Sequence, residues 1–205
     1  MKLFLFDFDG VLVESLELYE KAVSLSLARM NKPLERGQEE FLELFEGNFY
    51  ESLANKGVDL DEFMAVSGEL LAQVDYKEMQ PITPMVAVVE QMQKNNILLV
   101  VSSNNSQTIQ SALKQFKFND YFEKVLGSDF LLSKKDKMLY AKEKYQIEPK
   151  DIYYIGDTTG DIREGRAAGV KTVGVTWGWH SKAKMAAAKP DYLVNAPEDL
   201  LPLCK

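Results

Sequence analysis

The chain has 205 residues, of which 46% are hydrophobic and 27% are charged, and these fractions are typical of a globular protein rather than a disordered or fibrous one. Its 24 basic and 31 acidic residues give a net charge of −7, which argues against nucleic acid as the main partner. Cys204 is the single cysteine, and the apolar start stops at Asp7, too early for a signal sequence or a membrane span. We therefore expect a soluble cytoplasmic protein with no disulfide and no membrane partner.

Short apolar runs rich in β-branched and aromatic residues predict buried strands along most of the chain. These runs lie at residues 3–8, 97–101, 125–126, 152–155, 172–175 and 192–194. Helical spacing of apolar residues predicts helices at 86–94, 107–116, 137–145 and 161–168, with Ser106 as an N-cap and Gly169 just after a helix end. Strands that alternate with helices indicate an α/β fold with a doubly wound, Rossmann-like parallel sheet.

Residues 15–79 interrupt this alternation and contain only helical patterns, at 16–30, 38–45, 49–56 and 61–74. Pro81 and Pro84 follow the segment, and prolines commonly mark such a return to another unit. We predict a small all-helical domain at 15–79, inserted into a core made of residues 1–14 and 80–205.

Polar side chains follow the predicted strands, and the carboxyl ends of strands in an open parallel sheet are where ligands bind. Carboxylates follow the first and fourth strands, hydroxyl and amide groups follow the second, and lysines follow the third. In chain order these residues are Asp7, Asp9, Ser102, Ser103, Asn104, Lys134, Lys135, Asp157 and Asp161. Because these strand ends belong to one edge of the sheet, we expect the side chains to form one site.

The carboxylates predict a metal site. Asp7 and Asp9 lie two residues apart and Asp157 arrives from another strand, so their charges would repel each other in one crevice. A divalent cation removes this conflict, and oxygen ligands without a neighbouring His or Cys favour Mg²⁺. A metal, a nucleophilic carboxylate and donors for phosphate oxygens together indicate phosphoryl transfer through an aspartyl-phosphate. A second carboxyl such as Asp9 can protonate the leaving oxygen and then activate water.

Three segments of the chain resemble motifs of the haloacid dehalogenase-like hydrolases, in particular their phosphatase branch. Residues 7–15, DFDGVLVES, resemble the first motif; Ser102 after an apolar strand resembles the second; and residues 156–161, GDTTGD, resemble the fourth. The helical segment at 15–79 resembles the cap of the phosphoglycolate-phosphatase-like members. The likeness covers nearly the whole chain and implies a Mg²⁺-dependent phosphatase acting on a small phosphorylated metabolite.

The resemblance also implies a role for each matching residue. Asp7 would be the nucleophile and a metal ligand, and Asp9 would be the acid/base, with its backbone carbonyl on the metal. Asp157 would complete the metal site, and Asp161 would support or bind the metal. Ser102 would hold the transferring phosphoryl group.

The third motif is where the sequence departs from many relatives, which show Lys-Pro there. Residues 133–137 read SKKDK without a proline. Counting back from residues 156–157 favours Lys134 as the phosphate-binding lysine, with Lys135 as the alternative. Ser103 and Asn104 are further candidates for binding phosphate.

Three residues are predicted to face a substrate pocket under the cap, namely Glu14, Gly47 and Asn48. Gly47 and Asn48 lie between two predicted helices, where a loop can approach the site. His180, the only histidine, is expected in a loop at the rim of the site rather than as a catalytic base.

Other functions remain open at this point. A sugar phosphomutase shares the capped architecture, but such relatives carry a cap histidine soon after the first motif, and this chain has none there. Dehalogenase relatives replace the second Asp of the first motif, and Asp9 argues against that activity; phosphonatase relatives use a cap lysine, but the first-motif context does not match. A non-catalytic protein that binds partners through the cap is a further alternative. The sequence specifies neither the substrate nor the oligomeric state.

Overall fold

The structure, a computed structural model, describes residues 1–71, 79–118 and 120–205. A six-stranded sheet forms its centre, made of β1 (Leu3–Phe6), β4 (Ile97–Val101), β5 (Lys124–Leu126), β6 (Ile152–Gly156), β7 (Lys171–Val175) and β8 (Tyr192–Val194). The strands lie in the order β5-β4-β1-β6-β7-β8, and every neighbouring pair is parallel. The predicted α/β class with a doubly wound parallel sheet is therefore confirmed.

Helices cover both faces of this sheet and supply the insertion. They are α1 (Leu16–Arg29), α2 (Gln38–Glu43), α3 (Phe49–Asn55), α4 (Leu60–Leu71), α5 (Thr83–Met92), α6 (Ser106–Gln115), α7 (Lys134–Tyr145), α8 (Thr159–Ala168) and α9 (Lys182–Ala187), with short 3₁₀ helices at Pro149–Asp151 and Pro197–Cys204. The sequence pattern did not predict α9 or the 3₁₀ helices. No helix in the described part of the chain is long and apolar enough to cross a membrane.

The central strand β1 is buried on both faces because its alternating side chains enter two different cores. Phe4 and Phe6 belong to one buried cluster, whereas Leu3 and Leu5 belong to the other. Leu3 is in register with Ile97 of β4 on one side and with Ile152 of β6 on the other. This arrangement explains the continuous apolar run and brings the ends of β1, β4 and β6 side by side.

The starts of α6 and α7, which carry residues near the site, differ from the sequence-based predictions. The side chain of Asn105, rather than Ser106, caps α6 by accepting a hydrogen bond from the backbone of Gln107. Helix α7 begins at Lys134, three residues earlier than predicted, because the Ser133 hydroxyl accepts a hydrogen bond from the backbone of Asp136. Gly169 adopts a left-handed conformation after α8, as predicted.

A short antiparallel pair outside the main sheet was not predicted. Strand β2 (Val13–Glu14) pairs with β3 (Gln80–Pro81), so the chain leaves the core and returns to it at adjacent positions. Strands of two residues carry no periodic pattern that a sequence can reveal. The pair places both connections of the insertion beside the residues that follow β1.

Helices α1 to α4 form a separate apolar cluster, which we call the helical insert. Aromatic rings dominate it: Phe45 stacks on Phe49 with ring centres 4.8 Å apart, and Phe49 also meets Phe63 edge-on at 5.9 Å. The four predicted helices of this segment are confirmed, and where their ends are described they differ from the predicted limits by at most two residues. The predicted end of the last helix, at 72–74, lies outside the described residues.

Candidate active site

Asp7 follows β1 directly and is held by the neighbouring strand. Its backbone N–H donates to the carbonyl of Ile155 in β6 over 2.8 Å, which extends the sheet pairing by one residue. The carboxylate turns back toward the chain, and its Oδ1 accepts a 2.8 Å hydrogen bond from the backbone of Phe8. The residue is 4% exposed, so the second oxygen faces an almost closed site.

Asp157 follows β6, and the first turn of α8 begins immediately after it. Its Oδ2 accepts a 2.6 Å hydrogen bond from the backbone of Trp179, whereas its fully buried Oδ1 has no hydrogen-bond partner among the described residues. Gly10 lies so close that a Cβ there would stand 2.0 Å from Asp157 Oδ2. Only glycine fits at this position, where φ is +74°.

Asp161 is fixed by the start of α8. A capping box joins it to Thr158, whose backbone N–H and hydroxyl donate to Asp161 Oδ2 over 3.0 and 2.7 Å. Tyr154 donates its hydroxyl to Asp161 Oδ1 over 2.9 Å, a contact that the sequence analysis missed because Tyr154 lies inside an apolar run. Hydrogen bonds to both of its carboxylate oxygens therefore hold Asp161 at the edge of the sheet.

These three carboxylates form one cluster. One carboxylate oxygen from each of Asp7, Asp157 and Asp161 lies within 4.8 Å of the others, and all three residues are buried. Lys134, in the first turn of α7, donates from Nζ to Asp7 Oδ2 over 2.6 Å and to Asp161 Oδ1 over 2.7 Å. A single ammonium therefore faces three acidic groups.

The electrostatics of the cluster favour a further cation. Burial raises the pKa of Asp7 to about 7, and burial with the charges of Asp161 and Asp7 raises the pKa of Asp157 well above its ordinary value. Burial also opposes ionisation of Asp161, but the Lys134 ammonium lowers its pKa. Full ionisation of all three carboxylates thus requires positive charge beyond that of Lys134.

Asp9 and the residues after β4 form the other wall of the site. Asn104 Nδ2 lies 3.4 Å from Asp9 Oδ2, and the Ser102 hydroxyl oxygen accepts a 3.0 Å hydrogen bond from the backbone of Asn104. Burial raises the pKa of Asp9. Ser102 and Ser103 line the same small cavity as Asp7 and Asp9. The candidate residues from four strand ends therefore meet at one place.

A family model described as haloacid dehalogenase-like hydrolase matches residues 4–175. The chain belongs to this family. Two curated relatives are named phosphoglycolate phosphatase. The one from Haemophilus influenzae is 26% identical, and the match covers 98% of this chain and 96% of that protein. The one from Pseudomonas putida is 24% identical, and the match covers 99% of this chain and 79% of that protein. A solved structure from Clostridium acetobutylicum, described as a predicted phosphatase, is 23% identical with a TM-score of 0.83, covering 98% of this chain and 96% of that one.

Within this haloacid dehalogenase-like hydrolase, the structure distinguishes the two candidate lysines. Lys134 is buried against Asp7, whereas the Lys135 side chain is 44% exposed and its ammonium faces Asp136 at 3.7 Å. Lys135 meets the site region only through its backbone N–H, which donates to Glu164 over 3.1 Å. Successive residues of a helix point about 100° apart, so only one of the two can enter the site.

A second buried lysine was not among the predicted site residues. Lys137 is fully buried one turn after Lys134 and donates from Nζ to the carbonyl of Ser102 over 2.5 Å. Burial, with the charge of Lys134, lowers the pKa of Lys137 to about 7. Its hydrogen bond therefore holds the backbone of the loop that carries Ser102. The sequence did not indicate this burial, because Lys137 belongs to a cluster of lysines that is typical of an exposed helix start.

The three predicted substrate-facing residues do not line the cavity at Asp7. Gly47 and Asn48 dock the helical insert on α8: Asn48 Nδ2 donates to Glu164 over 3.0 Å, and its Oδ1 caps α3. A Cβ on Gly160 would stand 2.3 Å from the carbonyl oxygen of Gly47, so the two backbones touch. Glu14 is exposed and faces a separate groove beside the β2–β3 pair.

The loop after β7 joins the core to the helical insert, and its role was underestimated from sequence. Trp179 packs against Phe45 with ring centres 4.9 Å apart. His180 is 2% exposed; the Thr159 N–H donates to its Nδ1 over 3.0 Å, so Nε2 carries the proton and donates to the Leu42 carbonyl over 3.0 Å. His180 is thus a buried bridge rather than a rim residue, and burial lowers its pKa.

The helical insert closes the site in this conformation. Tyr19, Phe45 and Trp179 cover the carboxylates, and the cavity between them has a volume of only about 10 Å³. That volume holds about one water molecule. In this conformation the cavity therefore has no room for a phosphoryl group.

Proposed function

We propose that the chain is a Mg²⁺-dependent phosphatase that hydrolyses a small phosphorylated metabolite through an aspartyl-phosphate on Asp7. The observation that carries the proposal is the cluster of Asp7, Asp157 and Asp161, whose carboxylate oxygens lie within 4.8 Å of one another around Lys134. The names of the curated relatives support a phosphatase, because two of them are phosphoglycolate phosphatases. The net acidic charge is consistent with a small substrate rather than nucleic acid.

The residues at the cluster fit a Mg²⁺ ion. The donors are carboxylate oxygens, which this ion prefers, and the buried Asp157 Oδ1 has no other partner among the described residues. Asp7, Asp157, Asp161 and the backbone carbonyl of Asp9 would hold the ion. When bound, it would neutralise part of the phosphate charge and keep the carboxylates ionised.

Asp7 is the proposed nucleophile because it lines the small cavity together with Ser102, Ser103 and Lys134, the side chains proposed to hold the phosphoryl group. Its Oδ1 accepts a hydrogen bond from the backbone of Phe8, and its Oδ2 accepts one from Lys134. An oxygen of Asp7 attacks phosphorus, the bond from phosphorus to the substrate oxygen breaks, and the phosphoryl group is transferred to Asp7. Lys134 then faces the equatorial phosphoryl oxygens and stabilises their charge.

Asp9 is the proposed acid and base. Burial raises its pKa and so favours the protonated form that the first step needs, and its side chain lines the same cavity as Asp7. Asp9 donates its proton to the leaving oxygen. Its carboxylate then takes a proton from a water molecule that attacks phosphorus, the bond from phosphorus to Asp7 breaks, and inorganic phosphate is released. The hydroxyls of Ser102 and Ser103 and the amide of Asn104 hold the phosphoryl oxygens.

The helical insert, with bounds 15–79, serves as the cap of this site. It meets the core through Trp179 and through the backbone contact between Gly160 and Phe45, where the Gly160 N–H donates over 2.9 Å. Closure excludes bulk water from the phosphoryl group, and opening admits substrate.

The proposal is tested by release of inorganic phosphate from a panel of phosphorylated metabolites, with Mg²⁺ and with a chelator. We expect Mg²⁺-dependent release by the wild type and a loss of at least about 10³-fold in Asp7→Asn. A matched variant, Asp136→Asn, removes an exposed carboxylate near the same lysines and should remain active. Isomerisation of a sugar phosphate without net phosphate release would support a mutase instead, and full activity in the chelator would contradict the proposal.

A further inference from the structure

A groove of about 450 Å³ lies between the helical insert and the core, next to the closed cavity at Asp7. Helices α1, α3 and α4 form one wall, and the loop after β4 with helix α6 forms the other. Tyr19 and Ser103 line both the groove and the cavity. A substrate whose phosphoryl group lies at Asp7 would therefore extend its leaving group past these two side chains into the groove.

The two walls of the groove differ in polarity, but both are uncharged. The insert contributes aromatic and aliphatic side chains, namely Tyr19, Val23, Tyr50, Phe63 and Met64. The core contributes neutral amides and hydroxyls, including Asn104, Gln107 and Ser111. Among the described residues, no Lys, Arg, His, Asp or Glu lines this space.

The buried lysines next to the groove are already engaged. Lys134 donates to Asp7 and Asp161, and Lys137 donates to the Ser102 carbonyl, and neither lines the groove. The other large groove, of about 590 Å³ beside the β2–β3 pair, does carry charges, including Glu14 and Lys21. It shares only Trp179 with the cavity at Asp7, so it is not the continuation of the reaction centre.

This lining discriminates between leaving groups by their charge. At the end of the groove beside Tyr19 and Ser103, which are both buried, a carboxylate would lose water without gaining a cationic partner, and burial of an unpaired charge is unfavourable. An alkyl or aryl group would instead replace water at Val23, Phe63 and Met64, which is favourable for each methylene added. Neutral hydroxyl or amide groups of a ligand can pair with Gln107 and Ser111.

We propose that the preferred substrates are phosphate monoesters of neutral, partly apolar alcohols, rather than carboxylated ones such as the phosphoglycolate named for the curated relatives. This inference rests on the proposed phosphatase function and specifies its substrate class. The uncharged groove between the insert and α6 is the feature that selects these substrates.

The test compares kcat/KM for ethyl, butyl and 2-phenylethyl phosphate with that for 2-phosphoglycolate and for its neutral amide, 2-phosphoglycolamide. We expect the amide to exceed 2-phosphoglycolate by at least about tenfold, and each methylene added to the alkyl series to raise kcat/KM by up to about fourfold. Equal or faster turnover of 2-phosphoglycolate would overturn the substrate class and leave the phosphatase proposal standing. If none of these esters releases phosphate, both the substrate class and the phosphatase proposal would be overturned.

Two variants place a charge on α6 to test the location. Ser111 lines the groove and is exposed, whereas its neighbour Gln110 is exposed but does not line it. We expect Ser111→Lys to shift the ratio of kcat/KM for 2-phosphoglycolate over butyl phosphate at least about tenfold toward the acid, and Gln110→Lys to leave the ratio unchanged. An equal response of both variants would contradict the location.

Lys77 lies outside the described residues, so a third variant tests whether it supplies a cation. We expect Lys77→Met to change turnover of 2-phosphoglycolate and butyl phosphate by the same factor. A selective loss of 2-phosphoglycolate turnover in this variant would overturn the inference, because the substrate carboxylate would then have a basic partner.

Discussion

Lys134 holds the carboxylate of Asp7 through a 2.6 Å hydrogen bond, although 127 residues separate them in the sequence. The same ammonium reaches Asp161, so one side chain at the start of α7 links the end of β1 to the first turn of α8. The neighbouring carboxylates of Asp161 and Asp7 raise the pKa of Lys134 even though burial opposes this. These carboxylates therefore favour the charged form of the lysine.

Removal of the Lys134 ammonium should reduce turnover, whereas removal of the neighbouring Lys135 ammonium should not. We expect Lys134→Met to lower kcat by about 10²–10³-fold at saturating Mg²⁺, because the phosphoryl charge loses its partner. Lys135→Met is the matched control, since its ammonium is exposed and faces Asp136. Phosphate-release kinetics on both variants measure the difference; a larger loss in Lys135→Met would reverse the assignment of the two lysines.

The backbone contact between α8 and the helical insert should control closure. A Cβ at Gly160 would stand 2.3 Å from the Gly47 carbonyl oxygen and 2.7 Å from that of Phe45, so we expect Gly160→Ala to hold the insert away from the core. In a Trp177→Phe background, Trp179 fluorescence should become more accessible to acrylamide, and kcat/KM should fall at least about tenfold.

Gly47→Ala provides the control for this contact. A Cβ on Gly47 would meet no atom within 4 Å, so this variant should keep the wild-type quenching and activity. Unchanged Trp179 accessibility in Gly160→Ala would show that the contact does not hold the insert closed.

Lys137 should give the protein a pH-dependent stability. Burial lowers its pKa to about 7, whereas in the unfolded chain it keeps the ordinary value of 10.5. The unfolded state then binds more protons between these values, so the free energy of unfolding rises with pH from 7 toward 10.5, by at most about 1.4 kcal/mol per pH unit. Urea unfolding at pH 7, 8 and 9 measures this slope.

The slope is assigned to Lys137 by comparing variants. Lys137→Met should flatten the dependence over this range, and Lys144→Met, an exposed position on the same helix, should retain it. Identical slopes in the wild type and Lys137→Met would show that the folded state carries a charged lysine there.

Much of the site could be predicted from the sequence because its residues directly follow strands of the parallel sheet. Asp7 and Asp157 each follow an apolar run, and parallel strands bring such positions to the same edge regardless of the intervening chain. The helical insert was equally visible, because its apolar residues recur with helical spacing and no strand pattern interrupts them.

Contacts between separate elements could not be predicted in this way. The choice between Lys134 and Lys135 depends on where α7 begins, and the serine cap that sets this start shifts it by three residues from the apolar pattern. Gly47 contacts α8 instead of the site, and His180 connects the start of α8 to Leu42 of the helical insert. Both contacts depend on how the insert packs against the core, which the sequence pattern does not show. Neither the short β2–β3 pair nor the packing of the helical insert on the core produces a periodic pattern in the sequence.

The central claim is that Asp7 becomes phosphorylated during turnover. The most direct measurement is mass spectrometry of acid-quenched Asp9→Asn after exposure to Mg²⁺ and an aryl phosphate, whose leaving group needs no proton. We predict one phosphoryl group on the peptide that contains Asp7, and none when Asp7→Asn is added to the same variant. Phosphate release without any such adduct, or an adduct that persists in the double variant, would contradict the account.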